Sequence, residues 1–307
     1  MKKLTYLVSA VAAGLFSSAA NADISVSGAA SLVYNSAGSD TNLHNGGSIS
    51  FGLSTTTDSG MAVSTSAGIT LGTTGTATGA VTGWDNITFA SGGVTLTVGN
   101  DVGVPDGTGD VGGLVSDTTA SNIAAMSSTV GISDDEGSGI SLATSMGGAA
   151  LTLVYIADST PAGGEGDIDG AADTGSGASI STTVGAVAIT ASYATYSDAT
   201  ADDTETGISA SYASDMGTIT AGYESSTGTN DGNGYGVKYA MDLDAATSLS
   251  LGYTSQDVDS NTGRQTDVSI SRALGGGASV FAEMRSTSGD TGAGESSGMS
   301  LGTSVSF

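Results

Sequence analysis

The chain has 307 residues and a formal net charge of −25, with 31 acidic residues against 6 Lys and Arg, and it contains no cysteine. So acidic a polymer repels nucleic acid and attracts inorganic cations, and without cysteine it has neither disulfide staples nor thiolate metal sites. His44 is the only histidine, so a nucleophile, base and orienting group would all depend on one residue, which speaks against hydrolase chemistry.

At the start, Lys2 and Lys3 precede a largely apolar run over residues 4–16 and an A-x-A site at Ala20, Asn21 and Ala22. This pattern predicts a signal peptide over 1–22 and a mature chain beginning at Asp23. Its removal takes two basic residues and no acidic ones, leaving 4 − 31 = −27. No later segment offers the twenty or so continuous apolar residues of a membrane helix. The 49 glycines and abundant Ser, Thr and Ala resemble low-complexity sequence. Apolar and small polar residues nevertheless alternate with period two, which indicates strands whose faces meet different environments.

In chain order, Ile24, Val26, Leu32 and Tyr34 share one face of the first strand, Ile49, Phe51 and Leu53 mark the second, and Val63, Ala67, Ile69 and Leu71 the third. Ile87 and Phe89 give the fourth, and Val94, Leu96 and Val98 the fifth. A stretch without alternation then covers residues 100–139, with seven carboxylates and no Lys or Arg. The pattern resumes at Ile140 and Leu142, at Leu151, Leu153 and Tyr155, and weakly at Ile180 and Val184. Eight clearer segments follow, centred on Ile189, Ala210, Ala221, Val237, Leu249, Val268, Ala282 and Leu301, for sixteen strands in all.

The links alternate in length. Short ones fall near Asp58, at Ser91-Gly92, Gly147-Gly148 and Gly185-Ala186, at Ser214, Asp215 and Met216, at Asp242, Leu243 and Asp244, and at Gly275, Gly276 and Gly277. These are tight-turn compositions. The others are longer, and the first of them carries His44. Such sidedness predicts an all-β fold, a sixteen-stranded antiparallel transmembrane β-barrel with short periplasmic turns and long outer loops. Closure pairs every backbone group without a free edge, which the hydrocarbon requires.

If the first strand rises from the periplasm, Tyr34, Tyr155, Tyr193, Tyr223, Tyr235 and Tyr253 fall at upper strand ends and Phe89, Tyr212, Tyr239 and Phe307 at lower ends. Two aromatic belts are expected of rings seated at both membrane interfaces. Alternation places Lys238, Glu283 and Arg285 inward, whereas Arg272 points outward near a lower strand end. Its long side chain can reach the headgroups from there.

With leader, alternating links, long third outer link and a last strand over 299–307, the mature chain resembles the general diffusion porins of Gram-negative outer membranes, of the acidic sixteen-stranded type. The resemblance implies an outer-membrane homotrimer passing small hydrophilic solutes and cations, with residues 100–139 folded inward as the constriction loop of a single barrel domain over 23–307. It also implies that Met299, Leu301, Thr303, Val305 and Phe307 are the signal read by the barrel assembly machinery. The basic cluster that early strands supply in relatives is missing, since no basic residue precedes Lys238 in the mature chain.

Candidate pore carboxylates are Asp101, Asp106, Asp110, Asp117, Asp134, Asp135 and Glu136 in the insert and Glu283 on the wall, with Lys238 and Arg285 as the inward basic groups. A weakly cation-preferring, water-filled channel is expected. Asp167, Asp169 and Asp173 form a single Gly/Asp-rich run whose oxygens suit Ca²⁺, although no cofactor is required. Two other readings stand beside this one: a secreted acidic adhesin or surface β protein, and a solute-specific channel of the same fold. Trp84 alone, placed in an outer loop, makes no aromatic slide of the kind sugar channels use.

Overall fold

The computed structural model describes residues 22–37, 40–71, 80–82, 84, 86–104, 136–158, 174–197, 202–228, 231–258, 261–289 and 296–307. The strands are β1 (Ala22–Ala37), β2 (Asp40–Thr56), β3 (Ala62–Leu71), β4 in two segments (Ala80–Thr82 and Asn86–Ser91) and β5 (Val94–Gly103). After the insert come β6 (Glu136–Met146), β7 (Ala149–Asp158), β8 (Thr174–Val184), β9 (Val187–Ser197), β10 (Asp202–Ser214) and β11 (Gly217–Thr227). The remaining strands are β12 (Gly232–Asp244), β13 (Thr247–Val258), β14 (Asn261–Gly275), β15 (Ala278–Gly289) and β16 (Ser296–Ser306). Both segments of β4 pair with β3, as Gly68↔Thr82 and Ala62↔Ala90, so seventeen segments make sixteen strands.

Each strand pairs antiparallel with the next, and β16 closes on β1 in the register Ala29↔Ser306 to Ala37↔Gly298. The sheet is a closed, antiparallel, transmembrane barrel of the expected strand number. Apolar side chains cover its outside: Ile24, Ile208, Ile219, Leu301 and Val305 are all exposed in the isolated chain. Lipid is the solvent such a face requires, while the Ser, Thr and Gly positions turn into the bore. Seven short turns lie on one rim and the remaining links on the other. At Gly92-Gly93 and Gly147-Gly148 both residues have positive φ, the geometry of the tight hairpin turn that glycine adopts without strain.

Several boundaries move. The second turn lies at Gly92-Gly93 and not Ser91-Gly92. β12 runs through Asp244 with a register shift between Asp242 and Asp244, so that turn is carried by residues 245–246. The first outer link contracts to residues 38–39, because β1 and β2 stay paired out to Ala37↔Asp40. His44 is consequently a strand residue opposite Val33 and not a link residue. Trp84 falls at the break in β4, half exposed, and not in an outer loop. Crossing a bilayer takes about ten residues of tilted strand; β2 has 17 and β14 has 15, so both continue into water beyond the rim. There both faces are polar, and alternation no longer marks the strand.

The belts lie on the lipid face. At the long-link rim Tyr235 and Tyr253 are neighbours, with ring centroids 6.4 Å apart. At the short-turn rim the Tyr239 hydroxyl donates to the Met216 carbonyl at 2.5 Å. Arg272, on the outward face as expected, is an ion-pair partner of Asp244 at 3.2 Å and donates to Thr247 Oγ1 at 2.6 Å. Its charge is thus met by the rim itself.

Candidate pore lining

Strand register lays the bore-facing side chains out in rows across the barrel wall. One row runs Ser192, Gly207, Glu224, Gly234, Gln256, Gly263 over β9 to β14. A second runs Thr220, Lys238, Gly252, Asp267, Arg285, Gly298 over β11 to β16. In the first, glycine separates the long polar side chains, so each has room to lie along the wall; in the second, Asp267 and Arg285 are direct neighbours.

Four carboxylates in or beside these rows are almost fully enclosed: Glu205 at 3%, Glu224 at 2%, Asp267 at 1% and Glu283 at 1% exposed. Asp203, next to Glu205 on the same face of β10, is also buried. Against them stand Lys238 and the buried Arg285, which donates from Nη2 to Glu283 Oε1 at 3.1 Å. Across the barrel seam, Ser300 donates to Asn35 Oδ1 at 2.7 Å.

The adjoining sector is apolar, with Ala194 paired to Glu205 and Tyr196 to Asp203 across the β9–β10 boundary. Val102, Val104, Val154, Ile156, Ala194 and Tyr196 form one buried cluster on the bore side of β5, β7 and β9. A Cβ added at Gly175 would come within 3.3 Å of both Ile156 Cδ1 and Val104 Cγ1, so glycine admits the close approach between them. Val104 is the last described residue after β5, and its side chain points into the bore. A register shift between Gly99 and Val102 re-aims this strand end.

The structure pairs Glu283 with Arg285 on β15 and sets Lys238 in the same row as Arg285, three strands away. Asp101 is exposed on β5; the alternation that turns Val102 and Val104 inward turns it away from the bore. Its backbone is tied to Asn86, whose Nδ2 donates to the Asp101 carbonyl at 2.5 Å. Glu136 opens β6 opposite Gly103. Asp106, Asp110, Asp117, Asp134 and Asp135 lie outside the described residues, as do Asp167, Asp169 and Asp173. In the last strand Met299, Leu301, Thr303, Val305 and Phe307 share the outward face.

Sequence reasoning missed Asp203, Glu205, Glu224, Asp267 and Gln256. A signal is present, since Glu205 keeps the parity of Gly207 and Ser209, but it lies before Ile208, where the apolar alternation of the tenth strand begins. Tyr196 was missed too, and with Phe281, whose ring lies across Gly302, it is an aromatic side chain on the bore face. The two sit on β9 and β15, six strands apart, so they form no continuous track.

A family model described as Gram-negative porin matches residues 8–292. Among solved structures, the chain is similar to an anion-selective porin from Comamonas acidovorans, with a TM-score of 0.71 and 12% identity over 94% of this chain and 100% of that one. It is similar to OmpT of Vibrio cholerae in its trimer form, with a TM-score of 0.68 and 12% identity over 93% and 99%. A triple mutant of Rhodopseudomonas blastica porin gives 0.68 and 17% over 93% and 100%. No curated protein matches.

Proposed function

The chain belongs to the Gram-negative porin family, whose members are passive diffusion channels of the outer membrane and not enzymes, and on that premise we propose that its own bore prefers cations. Family membership sets the secreted adhesin aside. The observation that carries the preference is the enclosed wall of Asp203, Glu205, Glu224, Asp267 and Glu283, facing only Lys238 and Arg285. A carboxylate about 7 Å from a passing monovalent ion in water is worth roughly 0.6 kcal/mol, near one RT. Several together enrich cations several-fold, less at high salt because screening acts over about 8 Å at physiological strength. The anion-selective protein of the same fold is a reminder that the barrel does not decide the sign; the wall charges do.

Of the expected insert 100–139, residues 100–103 and 136–139 belong to paired strands, and the part between β5 and β6 is read as the constriction. Supporting this, Val102 and Val104 lead the chain inward at the root of the insert, into an apolar sector that a water-filled bore would otherwise leave wet. A homotrimer is proposed by analogy with the trimer form of OmpT. Neither bore-facing aromatic makes a sugar track, which favours general diffusion over a solute-specific channel.

The decisive experiment is a reversal potential across a planar bilayer under a KCl gradient. A potential of the cation-permeable sign is expected; the anion sign would refute the preference and leave the channel itself standing.

A further inference from the structure

Positive charge is scarce inside this barrel. Beyond residue 22 the basic side chains are Lys238, Arg264, Arg272 and Arg285. Arg264 is exposed on the lipid side of β14, Arg272 pairs with Asp244 at the short-turn rim, Arg285 pairs with Glu283, and Lys238 lies on β12 between Thr220 and Gly252, one bore-facing position from Gly236. Around Glu224 the wall offers oxygen instead. Gln256 Nε2 donates to Glu224 Oε1 at 3.1 Å, which holds the amide's own Oε1 beside the carboxylate. That Oε1 is buried and has no hydrogen-bond partner, and the same is true of Thr254 Oγ1, the next bore-facing side chain on β13.

Register puts glycine between these groups: Gly234 separates Glu224 from Gln256, and Gly236 lies between Gly222 and Thr254. Glycine backbone alone thus lies between the carboxylate on β11 and the amide oxygen and hydroxyl on β13. A carboxylate with an amide oxygen and a hydroxyl oxygen that lack hydrogen-bond donors suits a hard monovalent cation. A divalent ion would call for more carboxylates, and among the described residues no group of three acidic or histidine ligands is gathered.

We propose that Glu224, Gln256 and Thr254 hold an alkali cation on the inner wall of β11 to β13, where it supplies the positive charge the sequence lacks. The inference rests on reading this wall as acidic bore lining, and its test is separate from the reversal potential. Crystals of the full-length protein grown in rubidium chloride are expected to show an anomalous peak within coordination distance of Glu224 and Gln256. Gln256→Leu should lose the peak while keeping its heat-modifiable migration, and Thr254→Val should weaken it. The wild type should also unfold at a higher temperature in potassium chloride than in choline chloride of equal ionic strength, a difference absent in Gln256→Leu. No rubidium peak, or identical unfolding in the two salts, overturns the site; a peak with calcium and none with rubidium overturns the monovalent assignment. A rubidium peak in a channel without cation preference would leave the site and remove the selectivity reading.

Discussion

Arg285 is nearly fully enclosed, bonded to Glu283 on its own strand and opposite Asp267 on the next. Removing one partner of a buried pair leaves an uncompensated charge, which costs about 3 kcal/mol or more. Arg285→Met should therefore lower the thermal unfolding midpoint and move the reversal potential further toward cations, because two wall acids lose their shared cation. A variant with normal stability and unchanged selectivity would show that the pair is solvated in the working channel. Asp244 is a contrasting case at the short-turn rim. Hydrogen bonds from the Ala246 backbone and the Thr247 hydroxyl, with Arg272 beside it, hold its carboxyl below the ordinary 3.8. A depressed carboxylate contributes stability above its unfolded pKa and loses it as pH falls through the folded value. Asp244→Asn should hence unfold slightly earlier than wild type near neutral pH and match it in strong acid, as acid titration of the unfolding midpoint will show. The effect is small because the pair is more than half exposed.

At the scale of the element, the seam between β1 and β16 depends on Gly28. Its N–H donates to the Phe307 carbonyl at 3.1 Å and the Phe307 N–H returns the bond at 3.0 Å. A Cβ at position 28 would meet Phe307 Cζ at 2.5 Å and the Ser48 carbonyl at 2.9 Å, so the ring lies where a side chain would be. Gly28→Ala should lower the yield of folded barrel on refolding into detergent, without assembly machinery, read as the heat-modifiable fraction on gels, and Phe307→Ala in the same chain should restore part of it. Overpacking of this kind costs about 1–3 kcal/mol. The end of β5 allows a parallel test. Val104→Asp puts a charge into the apolar cluster that starts the insert inward; single-channel conductance should become larger or noisier as the root loosens. An unaltered conductance would argue that the insert is held elsewhere.

For the whole molecule, stability comes from closure and not from a packed interior. The apolar side chains face outward, so the barrel is stable only in lipid or detergent, and every strand finds two neighbours. The wall that carries charge spans β10 to β15, while β1 to β4 bring no basic residue into the bore. Selectivity is therefore expected to weaken steeply with salt, since surface fields are screened within about 3 Å at 1 M. Reversal potentials at a fixed tenfold gradient, compared at low and high mean KCl, will check this; a preference independent of salt would point to size exclusion.

The amino-acid sequence alone determined the strand number, the order of short and long links, the lipid face and the aromatic belts. Each follows from local alternation and turn chemistry, which a membrane makes legible by demanding apolar residues on one side only. It also placed Lys238, Glu283 and Arg285 inward by parity. Only the tertiary structure decided how far the strands run past the membrane, since Glu205 and His44 sit where both faces are polar and alternation carries no signal. Only the structure, too, showed which distant residues share a row: Glu224, Gly234 and Gln256 come together through register across three strands, a property of pairing that no local pattern encodes.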